Sequence, residues 1–538
     1  MKLSSLFLPL ATAAAVLFHM VPWVAANDPF PVIKYVQCAN STISNHPVIL
    51  KGKRFYDSLT GQFFPIKGIA YYPRPNEGLL STSDSVDFFT DEYRHLWEAD
   101  IVHLQRLGVN TIRIYAVDPS RNHDAFMCAL QRAGIYVMVE LLAACVGCHI
   151  GPDYAPACYP EGLKTRGHWI INEFSKYANT LTFSAGNEVT LYSAMWQQVQ
   201  INAPCQKKFL RDMRAYVDSC SGVLNSILPR KVPIGMVNWD FARTEQALYF
   251  NCQTDTSDPL ETPEWYGMNV YLHCNANDPT LGGFPQFLQD FEGYNLSVPV
   301  VIAEYGCREN NFPTMEGFEA QRTWLETEAF YTEAYQSVIA GAVAFEYSAE
   351  KWIIERAGPG NPWPYNGFMK LNYGVGYYSP VTCDHLNTTC TFNPYPEFEL
   401  LRDKLAEVNV DFIPGLDEAT VGVGQIPSCP QGFAAVGDFE WPADEEPGLP
   451  CPVVETREPT MAPTSAATTV TPRTNAPNAS PTVSPTLRSP LSSNDEVSND
   501  NGDPDGDPDG VPSVSSSATA GSYMLVLIIV PAMVLSWC

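Results

Sequence analysis

The chain has 538 residues, 45% of them hydrophobic and 12% aromatic, with a formal net charge of −27. The apolar content is ample for one large core and excludes a wholly disordered chain. The acidity argues against nucleic acid and anionic lipid headgroups as partners, and suits a neutral ligand such as a polysaccharide.

The first segment, 1–26, carries Lys2, an apolar run from Leu6 to Val24 and the small residues Ala25-Ala26. It reads as a secretory signal peptide, with a retained N-terminal anchor as the alternative. Secretion agrees with the cysteines: of 15, Cys538 would leave with a processed tail, and the even remainder suits disulfides. Sequons at Asn40, Asn295, Asn387 and Asn478 then allow N-glycosylation.

From residue 27 to about 415 the pattern predicts one domain. Eight runs rich in branched or aromatic residues read as strands: Phe63–Tyr71, Asn110–Val117, Gly134–Leu142, Leu181–Glu188, Val232–Trp239, Tyr266–Leu272, Val298–Glu304 and Ala342–Tyr347. Segments of helical periodicity lie between them, including 91–104 (ended by Gly108), 207–228 and 316–339. Continuously apolar strands alternating with helices imply a parallel sheet covered by helices. Eight such units fit a (β/α)8 TIM barrel, and no glycine-rich dinucleotide or phosphate loop follows the first strand.

Chemistry on a barrel sits at the C-terminal strand ends. Glu188, after Ala185-Gly186-Asn187, closes the fourth strand, and Glu304, in Ala303-Glu304-Tyr305-Gly306, closes the seventh. Strands three positions apart face each other across the mouth. Two facing carboxylates are what glycosidic cleavage needs, and a retaining reaction wants them about 5–5.5 Å apart. Glu188 is assigned as general acid/base, its pKa raised by burial and by the neighbouring charge of Glu304, the nucleophile. Asn187 suits a hydrogen bond to the sugar 2-hydroxyl. Arg113, on the second strand, either orients Glu304 or is a buried structural charge. Cys145-Val146-Gly147-Cys148-His149 matches a haem-attachment pattern, but it reads as a disulfide-stapled rim loop. No cofactor and no metal are expected.

Beyond Tyr347, aromatic residues (Trp352, Trp363, Tyr365, Tyr373, Tyr377 and Tyr378) either stack on sugars or pack. A short cysteine-bearing extension, 416–456, holds Cys429 and Cys451. Residues 457–514 are rich in Thr, Pro, Ser and Ala and read as a disordered stalk. The last segment, 515–538, is a polar spacer and an apolar run from Met524 to Trp537, shorter than the roughly 20 residues a spanning helix wants. It reads as a GPI-attachment signal, with Ser513 the expected lipidated residue and a transmembrane tail the alternative. Release by a phosphatidylinositol-specific phospholipase separates the two.

Several strings together resemble the glycoside hydrolase family 72 β-1,3-glucanosyltransferases, the Gas/Gel/Phr group of GPI-anchored wall-remodelling enzymes. They are the stretch Leu107-Gly108-Val109-Asn110-Thr111-Ile112-Arg113-Ile114-Tyr115-Ala116-Val117-Asp118-Pro119 with His123-Asp124 and Cys128, then Ala185-Gly186-Asn187-Glu188-Val189. Tyr266-Gly267-Met268-Asn269-Val270-Tyr271, Glu304-Tyr305-Gly306-Cys307 and Phe345-Glu346-Tyr347-Ser348 complete them. The resemblance implies a retaining enzyme that cleaves β-1,3-glucan and transfers the new end to another glucan. It implies a donor site lined by Tyr115, Asn187 and Tyr271, with Tyr271 bonded to the nucleophile, and disulfides Cys274–Cys307 and Cys252–Cys383. Partners for Cys38 and Cys128 stay open. Two substrate-facing positions depart from the family: Tyr72 stands where a glutamine is usual, and Glu140 where aspartate is frequent. The few cysteines after Cys390 match the shorter subgroup without a full carbohydrate-binding module. The expected setting is a monomer on the outer face of the plasma membrane or in the wall. Alternatives are a secreted endo-β-1,3-glucanase and a noncatalytic glucan-binding wall protein.

Overall fold

The computed structural model describes residues 32–38, 46–78, 85–193, 198–227, 230–271, 283–306, 322–351, 363, 373–417 and 424–454. The signal segment, the stalk, the attachment signal with Ser513, and Asn40, Asn478, Cys274 and Cys307 lie outside them.

Eight parallel strands close into a barrel. In chain order they are Ile66–Ala70, Thr111–Ile114, Tyr136–Glu140, Thr180–Asn187, Ile234–Trp239, Tyr266–Asn269, Val300–Tyr305 and Ile339–Ala344. Each lies within or overlaps one of the eight runs read from the sequence. Helices on the outside bury one strand face and the barrel interior buries the other, which is why these runs are apolar throughout rather than alternating. Val137, Val139 and Phe183 pack outward under the helices, while Tyr136, Met138, Leu181, Val237 and Val301 fill the interior. A hairpin of Val48–Lys51 and Arg54–Asp57 plugs the N-terminal end, where Val48 and Phe55 join the interior cluster.

Three helical expectations change in detail, and the one over 207–228 becomes two helices, Ala203–Ser219 and Ser221–Ile227, separated at Cys220. The segment from Asp91 becomes a 3-10 turn, a short helix Arg94–Trp97 and a second helix Asp100–Leu107, ended by Gly108 in the left-handed conformation. The break falls where Asp100 turns inward to three tyrosine hydroxyls. Among its described residues, the segment expected as one helix over 316–339 holds only Leu325–Phe330 and Glu333–Gln336, and the eighth strand starts already at Ile339.

The disulfide implied between Cys252 and Cys383 is not formed. Cys252 ends the helix Arg243–Asn251 and pairs with Cys429, whereas Cys383 follows the strand Gly376–Ser379 and pairs with Cys390 across the next turn. Cys38 pairs with Cys128, Cys158 with Cys205 and Cys220 with Cys451. Cys145 and Cys148 staple the loop after the third strand to itself, as read from the sequence. The bridges to Cys429 and Cys451, with a parallel pairing of Val453–Val454 on Val32–Ile33, tie the extension to the barrel's flank.

Candidate active site

Glu188 directly follows the fourth strand and takes a left-handed backbone conformation, φ 50°. Only a few residue types tolerate that region without cost. Gly186, at φ +136°, prepares the turn: a Cβ there would lie 2.9 Å from Gln206 and from Val189. The chain leaves the strand here and presents Asn187 and Glu188 at the rim, both partly exposed. Glu304 sits in the seventh strand and is 6% exposed.

Arg113 is the hub. Its guanidinium, 1% exposed, donates from Nε and Nη2 to Glu140 Oε1 at 2.9 and 2.6 Å, and from Nη1 to Glu304 Oε1 at 3.0 Å. Nη2 also reaches Asn187 Oδ1 at 2.8 Å. An arginine can serve several acceptors at once because its fork is planar and carries five donors. Arg113 therefore orients Glu304 and is also a buried structural charge; the two alternatives coexist.

Two phenols complete the cradle of Glu304. Tyr115 donates to Oε1 at 3.0 Å and Tyr271 to Oε2 at 2.7 Å, so both oxygens are held. Glu140 lies behind Arg113, 2% exposed, and burial raises its pKa while the guanidinium opposes the rise. Glu188 is pushed up to about 7, first by burial and then by the charge of Glu304, against the hydrogen bond from Asn269 and the charge of Arg113. A carboxyl raised to about 7, beside one held by a cation and two phenols, gives two identical side chains unequal environments, as a division into acid and nucleophile requires.

The structure does not bring Tyr72 to this cluster. Its ring is 3% exposed and packs on Phe88 and Phe89, with its hydroxyl donating to the Val86 carbonyl at 2.6 Å. Of the aromatics beyond the eighth strand, Tyr373 packs on Tyr271, with ring centroids 5.5 Å apart, while Tyr378 turns inward to Asp100. Trp363 packs edge-on against Tyr377, and Trp352 and Tyr365 lie outside the described residues. Asn269, at the end of the sixth strand, is the member that sequence reasoning missed. It donates to Asn187 Oδ1 at 3.0 Å and to Glu188 Oε1 at 2.8 Å. Its position at a strand end two residues before Tyr271 was the available signal. Among the described residues no cluster of His, Cys, Asp and Glu is suited to a metal ion.

A family profile described as Glucanosyltransferase, of glycoside hydrolase family 72, matches residues 37–353. The 1,3-beta-glucanosyltransferase gas4 of Schizosaccharomyces pombe is 30% identical over 58% of this chain and 62% of its own length. The 1,3-beta-glucanosyltransferase PGA4 of Candida albicans is 29% identical over 59% and 63%. The chain thus spans about three-fifths of the length of these curated relatives. Gas2 of Saccharomyces cerevisiae, solved in complex with laminaripentaose, is 25% identical with a TM-score of 0.54, covering 72% of this chain and 75% of that one.

Proposed function

Since the chain belongs to the glucanosyltransferase family of glycoside hydrolase family 72, we propose that it is a cell-surface 1,3-β-glucanosyltransferase working by retaining double displacement. The observation that carries this is the unequal treatment of the two glutamates. Glu304 is fixed through both oxygens by Arg113, Tyr115 and Tyr271, and Glu188 is raised to about 7.

In the first half-reaction Glu304 attacks the anomeric carbon while the proton of Glu188 passes to the departing glycosidic oxygen. The bond to the leaving glucan breaks as the bond to Glu304 forms. Losing its proton makes Glu188 a base. In the second half it takes the proton of an incoming sugar hydroxyl, whose oxygen displaces Glu304 from the anomeric carbon. Asn187, held through its Oδ1, has its amide donors left for the 2-hydroxyl. The substrate class is supported by relatives named as 1,3-beta-glucanosyltransferases and by Gas2 solved with laminaritetraose and laminaripentaose. The same reading takes the enzyme as carried by a GPI anchor on the outer face of the plasma membrane, on the strength of its two terminal segments.

Incubation with reduced laminari-oligosaccharides, followed by size analysis of the products, tests the activity. Products longer than the substrate are expected; shorter fragments alone would make the protein an endo-β-1,3-glucanase. No change in either direction would leave a noncatalytic glucan-binding protein.

A further inference from the structure

Asn269 and the hydrogens around it decide where Glu188 keeps its proton. The O and N of an amide side chain are assigned by their partners, and here the assignment starts from a residue without ambiguity. Arg113 can only donate. The Asn187 atom that faces its Nη2 at 2.8 Å must therefore be the acceptor Oδ1. Asn269 approaches that same oxygen at 3.0 Å, so it must present Nδ2 rather than its own oxygen. Its second hydrogen points to Glu188 Oε1 at 2.8 Å, which must then accept. The orientation is kept although it leaves Asn269 Oδ1 buried and unpaired among the described residues, the kind of exception that calls for a reason.

We propose that Asn269 is a positioning residue that reserves Oε1 of Glu188 as an acceptor and so confines the transferable proton to Oε2. This rests on the reading of Glu188 as acid/base. In the first half-reaction the Oε2 proton goes to the leaving oxygen. In the second, Oε2 receives the proton of the incoming hydroxyl, and Oε1 stays bonded to Asn269 throughout. The carboxyl does not have to rotate between the two steps. The same bond favours the ionised form, against burial and the charge of Glu304. Glu188 faces Glu304 from the seventh strand and Arg113 from the second, with Glu140, Tyr115 and Tyr271 as the remaining titratable groups of the cluster.

The test is the pH dependence of kcat/KM for Asn269→Ala on two donors: a reduced laminari-oligosaccharide, and a dinitrophenyl β-laminari-oligosaccharide whose leaving group departs without a proton. On the natural donor, a loss of about 100-fold is expected, with the alkaline limb moved up by about half a pH unit to one unit. Cleavage of the dinitrophenyl donor should fall by less than about tenfold. An unmoved limb, or equal losses on both donors, would overturn the proposal. Asn269→Asp keeps the side-chain shape but removes the donors and adds a negative charge, so it must move the limb further in the same direction. It serves as the readout if the alanine variant does not fold. Substantial activity in Glu188→Gln on the natural donor would instead overturn the reading of the two glutamates, whatever Asn269 does.

Discussion

Two buried acid sites in this molecule are built from similar parts and behave differently. At the mouth, Glu140 and Glu304 share one guanidinium, and Glu188 borders them. Behind the first and eighth strands, Asp100 is 1% exposed and accepts from Tyr71 at 2.9 Å, Tyr347 at 3.0 Å and Tyr378. Phenols surround a carboxylate in both places. Only the mouth adds a fixed cation, and only there do several carboxylates compete for it. Glu188 and Asp100 are each raised to about 7, but Asp100 by burial against three hydrogen bonds, and Glu188 by burial together with the charge of Glu304. A raised carboxyl pKa is therefore no mark of catalysis in itself. The distinguishing feature is a second carboxylate beside it, fixed through both oxygens by a guanidinium and two phenols.

The largest effect expected from this contrast is on Glu304. Glu304→Gln keeps the shape and most hydrogen-bonding sites but removes the attacking charge, and glucan transfer should fall at least about a thousandfold. Product formation by size analysis is the measurement; a variant retaining most of its activity would put the two sites on the same footing.

Asp100 should show the opposite profile, a stability effect with little change in activity. The unfolded chain releases this proton in the ordinary carboxylate range, so from there up to about pH 7 the folded state binds more protons than the unfolded one. Stability then falls as pH rises through that window and levels off above it. Asp100→Asn removes the ionisation, and the decline between about pH 4 and pH 7 should shrink by on the order of 3 kcal/mol. Denaturant unfolding across that range measures it. Transfer activity should stay within about threefold, since none of the three phenols touches the glutamates at the mouth. An unchanged pH slope would mean that Asp100 is ionised in the fold at every pH tested.

The barrel was legible because each strand is buried on both faces and so writes itself as an uninterrupted apolar run. Glu188 and Glu304 were legible because each directly ends such a run. Asn269 ends one too, yet buried asparagine also serves plain structure here: Asn238, in the fifth strand, lies by the Tyr266 hydroxyl at 3.4 Å. Its role depends on Arg113 and Asn187, which arrive from other strands, and no local pattern records that meeting. Asp100 looked like one more polar residue on an amphipathic helix. The Cys252 pairing implied by the family resemblance failed for a related reason, since connectivity depends on which loops fold back onto which helix in this chain.

Tyr72 is the finest point of the comparison, because its neighbour Tyr71 belongs to the Asp100 site while Tyr72 itself was expected at the mouth. The ring sits 5.6 Å from Phe88 and 5.9 Å from Phe89, and Arg74 lies over it at 5.0 Å. With its hydroxyl committed to Val86, it has the environment of a packing residue. Tyr72→Phe keeps the ring contacts and leaves the Val86 carbonyl without this donor, so a loss of about 1 kcal/mol in stability is expected. KM for laminari-oligosaccharides should change by less than about twofold, because removing a group that does not touch the sugar leaves uniform binding intact. A rise in KM of about tenfold with unchanged stability would return Tyr72 to the sugar site and place the boundary between the two regions one residue earlier.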